Sequence, residues 1–148
     1  MRGSAAMLPR TGSRPATSPA MLDSAATANL VAAMLAVNFY PVNRAYNLMP
    51  AFRERGLLDP AKVAAMEQEA LIAAMSAAGY DRGGFLPILS YRLYTLLEAV
   101  SAGKLDKLPA FAAANDEASF TSSLTAVHGF GPSTAATAWA LFRPAAAT

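Results

Sequence analysis

The chain has no cysteine, one histidine and one tryptophan in its 148 residues. Without cysteine there is no disulfide, no thiolate zinc site and no cysteine-ligated iron–sulfur cluster. With His128 the only histidine, no metal site is expected. Charge is sparse as well: 15% of residues are Asp, Glu, Lys or Arg, and the net charge is +2. A balance that mild does not by itself argue for a nucleic-acid partner. No acid follows Glu117, and from Thr121 onward the only formal cation is Arg143. Long apolar runs are also missing. The best, residues 25–40, is shorter than a bilayer span needs and contains Asn29 and Asn38. It reads as a buried core helix, and the expectation is a cytoplasmic protein with no membrane association. Residues 1–22 lack the uninterrupted apolar stretch of a secretory signal.

What the chain does have is alanine. It leads a hydrophobic content of 54%, while strand-type Val, Ile and Thr runs are scarce. The fold class expected is all-α: a compact bundle of about six helices over residues 23–144, ample for one core. Residues 1–22 carry Arg2, Arg10 and Arg14, three prolines and no acid. They read as a disordered basic arm, either tracking phosphates or simply solvated. Residues 145–148 form a short tail.

Local signals place the helices. Asp23 or Ser24 caps a first helix running to about Phe39 and stopped by Tyr40-Pro41. A second, over residues 42–55, is kinked or split by Pro50 and closed by Gly56. Asp59-Pro60 starts a third, N-cap then first helical position. Pattern leaves open whether Glu67–Glu69 is a break or continuous helix. Gly79 ends that stretch, and residues 81–84 make a turn. Pro87 then opens a helix to about Ala102 with Leu89, Leu93, Leu96, Leu97 and Val100 on one side, terminated by Gly103. Residues 104–115 read as a looser connector. Asn115 or Asp116 caps a helix to about Ala126, and a last helix runs from Pro132 to about Phe142, stopped by Pro144.

The most informative stretch joins those last two helices: Val127-His128-Gly129-Phe130-Gly131-Pro132-Ser133-Thr134-Ala135. Two glycines allow a tight turn with positive φ and a close approach of backbone amides to a bound group. Pro132 suits a first helical turn, and a helix start offers free N–H groups and a positive dipole end to a phosphate. The pattern over residues 116–142 resembles a helix-hairpin-helix motif. Residues 24–142 taken in order resemble the six-helix half of the helix-hairpin-helix DNA glycosylase superfamily, the endonuclease III and adenine glycosylase group. The segments carrying this are Asn29–Asn38, Val42-Asn43-Arg44-Ala45 and Ala74-Met75 with Gly79-Tyr80 before a long Leu93–Leu97 helix.

The resemblance implies double-stranded DNA as partner, its phosphate held by backbone atoms of Val127, Gly129 and Gly131. Ser133 and Thr134 would add donors, and a monovalent cation could bridge carbonyls and phosphate. His128 stands where the family usually has Pro, and either adds a phosphate contact or is an exposed turn residue. Arg143 is the nearest cation in sequence; the candidates elsewhere are Arg44, Arg53, Arg55, Arg82, Arg92, Lys104 and Lys107, whose common face the sequence does not give. Phe130 reads as an anchor into the core, and Trp139 and Phe142 as core residues. The family's nucleophilic lysine position is Ser133, and its essential aspartate has no counterpart, since no acid follows Glu117. Glu67, Glu69 and Asp81 have no nucleophilic partner at recognisable spacing. The resulting expectation is a DNA-binding protein without catalysis, a transcriptional or nucleoid regulator. The alternatives are an interaction scaffold, meeting a second copy or another protein through an apolar helical face, and a fragment of a base-excision glycosylase.

Overall fold

A computed structural model describes residues 22–37, 39–127 and 129–147, with side chains as far as Arg143. The 1–21 part of the basic arm, Asn38 and His128 lie outside the described residues. The chain is all-helical. The described residues form nine α-helices: α1 Ser24–Leu35, α2 Val42–Asn47, α3 Met49–Glu54, α4 Pro60–Ala64, α5 Gln68–Ala77, α6 Leu86–Ser101, α7 Leu108–Ala113, α8 Glu117–Thr125 and α9 Pro132–Ala147, plus a 3₁₀ turn at Gly83–Phe85. The count exceeds six because short helices divide what pattern alone reads as longer ones. Around Pro50 the chain splits at Leu48, whose N–H bonds to Ala45 at 3.1 Å. Glu67 is extended and breaks α4 from α5. The connector over 104–115 contains α7, with Pro109 in its first turn. Pro144 does not stop the last helix, which continues to Ala147.

The core is built around α1. Leu30, Val31, Ala32, Ala33, Met34 and Leu35 are all essentially inaccessible. This follows from a segment with almost no polar face, which has to sit centrally. Helices α2, α6 and α9 pack on α1, α4 and α5 pack on α6, and α9 packs on α7 and α8. Leu22, read as part of the arm, instead belongs to the core. Phe120 of α8 meets Trp139 and Phe142 of α9 edge-on, both with centroids 5.1 Å away. Such edge contacts suit the ring quadrupole and add to the area buried.

Capping follows the sequence closely. The carboxylates of Asp23, Asp59 and Asp116 accept N–H bonds from Ala26, Ala61 and Ser119 at 2.8, 3.0 and 3.1 Å. Helix α1, however, stops at Leu35, four residues short of expectation. Its end carbonyls are claimed from elsewhere: Tyr80 donates its hydroxyl to the Leu35 carbonyl at 2.7 Å, and Arg82 donates to that of Val37 at 3.0 Å. Side chains from the α5–α6 connection thus replace the amides that would have continued the helix.

Two stability outcomes follow. Phe120→Ala opens a cavity in a fully buried aromatic cluster and should cost about 3–5 kcal/mol in urea unfolding. Burial pushes the Tyr80 phenol up to about 12 from its ordinary 10, and the Arg82 charge and hydrogen bond offset this only in part. The folded state therefore favours the neutral phenol. That contribution is complete below pH 10 and is lost as pH rises through 12. Unfolding free energy should fall over that window in the wild type and fall less steeply in Tyr80→Phe.

Candidate functional site

The segment between α8 and α9 is a compact turn. Helix α8 ends at Thr125 with Ala126 as its cap, and Val127 and Phe130 plug the turn into the core, 6% and 5% exposed. The Phe130 amide bonds the Val127 carbonyl at 3.1 Å, closing the bend. Gly129 takes φ +95, where an L side chain is strained, and an added Cβ would lie 3.1 Å from the stem of Arg92. Gly131 differs: its φ is outside that region and an added Cβ would meet nothing within 4 Å. The first glycine is required by the turn; the second leaves the surface open.

That open surface is one wall of a groove of about 580 Å³ whose lining includes Gly129, Gly131, Ser133, Thr134, Arg92 and Phe39. Ala33, Ala36 and Val37 at the end of α1 complete the other wall. The first bond into the α9 ladder runs from the Ala135 amide to the Gly131 carbonyl at 3.0 Å. The amides of Ser133 and Thr134 precede it and project from the helix end, while Pro132 has none to satisfy. A helix start, an arginine and no lining carboxylate favour an anion here. Chemically, the groove can bind a phosphate-like group; among its described lining residues no nucleophile has a base beside it.

The residues picked out by sequence divide into four sets. Gly129, Gly131, Ser133 and Thr134 are brought together in this groove. Val127 lines a different depression, shared with Ser123, Ala126, Thr95 and Ala99, so its side chain anchors the turn without lining the groove. His128 lies outside the described residues. Arg143 does not reach the site, because it is eleven positions along α9 from Pro132, roughly 16 Å at 1.5 Å per residue. Its guanidinium stacks over Trp139 at 5.2 Å and donates to Asn115. The Val127 and Gly131 carbonyls already accept bonds from Phe130 and Ala135.

Two groove residues are not singled out by the sequence. Arg92 is one of several scattered cations in the sequence, and only the packing of α6 lays its stem across Gly129. Phe39 stands fully exposed, 103%, in the left-handed region at φ +67. A non-glycine residue there costs about 1–3 kcal/mol. The one signal in the sequence was its place just before Tyr40-Pro41, where a helix must end.

Among the described residues no three acidic or histidine side chains gather to hold a metal ion, and no helix is long and apolar enough to cross a membrane. Comparison with known proteins gave no match, whether to a protein-family model, to a curated sequence or to a solved structure.

The two glycines should respond differently to alanine. Gly129→Ala meets both an unfavourable φ and the Arg92 stem and should cost about 1–3 kcal/mol. Gly131→Ala should lie within about 0.5 kcal/mol of wild type, as at an unconstrained surface position. Paired chemical denaturation curves check this; equal losses would mean the turn is built otherwise.

Proposed function

We propose that the protein binds DNA without catalysing a reaction on it, holding one backbone phosphate at the 129–134 turn as a helix-hairpin-helix does. The observation that carries this reading is the Gly129 turn beneath Arg92, at the mouth of α9. It gathers helix-end N–H groups and a guanidinium on one open groove. Ser133 and Thr134 supply backbone and hydroxyl donors, Arg92 supplies the charge missing from the hairpin itself, and Phe39 stands on the facing wall. Backbone contacts position a duplex but read no sequence, so binding is sequence-tolerant and suits a nucleoid or transcriptional regulator. The proposed absence of catalysis rests on Ser133 at the lysine position and on a groove lined without a carboxylate, where an oxocarbenium-like transition state has no stabilising partner.

The test is a titration of labelled duplex at several salt concentrations. Gly131→Val fills the open wall, where an added Cβ meets nothing within 4 Å, and should weaken binding at least about tenfold, the loss of one charge-assisted contact. Arg92→Ala should reduce the salt slope by about 0.9, one phosphate's share. A folded Gly131→Val protein with wild-type affinity would reject the reading, and base release from damaged or mismatched duplex would replace it with an enzyme.

A further inference from the structure

The large apolar side chains that stand exposed among the described residues all come from two segments, Phe39, Val42 and Tyr46 from one and Phe85, Ile88, Tyr91 and Tyr94 from the other. Arg82 joins the segments. Its guanidinium carbon lies 5.1 Å from the ring centroids of both Tyr40 and Phe85, and Arg44 covers the Tyr40 ring at 5.2 Å. Along α6, Phe85, Ile88 and Arg92 follow at helical spacing and so share one side, leading back to Arg92 over the Gly129 turn. The face is therefore continuous with the groove.

Its composition is selective. Residues 39–46 and 82–94 contain Arg44, Arg82 and Arg92 and no acid; Asp81 is the nearest in sequence. Phe85 and Tyr46 are each 47% exposed, too open for core residues, and the Arg82 guanidinium lies over the Phe85 ring. Aromatic planes interleaved with arginines suit a flexible polyanion whose own flat groups can stack. A rigid duplex, whose bases are already stacked on one another, cannot use them.

We propose that this Arg–aromatic face is a stacking platform for unpaired nucleotides, continuing a strand whose phosphate is held at the hairpin. The proposal rests on the phosphate-binding reading of that turn. The partner is single-stranded DNA adjoining a duplex: the duplex end is held at residues 129–134, and the single strand runs over Phe39 toward Tyr46 and Phe85.

Fluorescence anisotropy with a blunt duplex and with the same duplex carrying an unpaired thymidine tail tests it. The wild type should bind the tailed form at least about fivefold more tightly, the worth of one stacked base. Phe85→Ala and Tyr46→Ala, both at exposed positions, should abolish that preference while leaving blunt-duplex affinity unchanged, with helicity checked by circular dichroism. A tail that adds nothing to wild-type affinity overturns the platform, whereas blunt-duplex binding still sensitive to Gly131→Val keeps the hairpin reading intact. Tail-dependent binding that ignores Gly131→Val does the reverse. A wild-type dimer in sedimentation that Phe85→Ala dissociates also overturns the platform, assigning the face to a second copy of the chain.

Discussion

The close approach of α1 and α9 is the constraint on which the rest of the structure depends. Both helices bury alanine alongside larger side chains: Ala28, Ala32 and Ala33 on one, Ala135 and Ala138 on the other. Small side chains let helix axes come near the lower end of the usual 8–10 Å range. That seats the start of α9 beside the end of α1, and the groove is the space left between those two ends. A larger residue at any of these alanines would force overpacking and separate the wall carrying Phe39 from the wall carrying Gly131. The alanine excess of the chain is thus a geometric requirement of the site as well as a helix preference.

Once the helices are seated, cationic side chains do the local fixing that ion pairs do in other domains. Arg82 binds the Val37 carbonyl and the Tyr80 hydroxyl and faces the rings of Tyr40 and Phe85. Tyr80 in turn holds the Leu35 carbonyl from a fully buried position. The end of α1 and the loop bearing Phe39 are therefore clamped by one connection, that between α5 and α6. A strained φ at Phe39 can persist only where such neighbours over-determine the backbone. Arg92 plays the same part across Gly129, its stem packed and its head in water. In both cases the charged group comes from an element distant in sequence from the backbone it steadies.

That distance explains what was legible in the sequence. Helix starts were legible because they rest on local chemistry: an aspartate at Asp23, Asp59 or Asp116 and a proline at Pro60 or Pro132 need no tertiary partner. The all-helical class and the buried first helix followed from composition and from the absence of a polar face. The end of α1 was not legible, since the groups that take its carbonyls sit 45 residues further on. The glycine turn was legible in outline, but its two glycines differ for a reason external to the turn, the stem of Arg92 over one and open space at the other. Arg143 was the natural cation to choose by sequence proximity. It lies outside the groove because a helix carries it away along its axis, while Arg92, well before the turn in sequence, is folded onto the site.

Spreading the cations in this way has an energetic consequence. The hairpin segment itself holds no lysine or arginine, so the unfolded or partly folded chain has no local cluster able to attract a phosphate. Arg44, Arg82 and Arg92 reach one face only when α2, the α5–α6 connection and α6 are all in place. A ligand that engages them binds the folded state almost exclusively and stabilises it by mass action. The same dispersion keeps the electrostatic share small: three phosphate contacts give a salt slope of about −3, far below that of proteins with dense basic tracts. If a strand binds there as proposed, most of its affinity has to come from contacts that release no counterions, such as stacking on exposed rings. The surface around the groove is provided with just these groups.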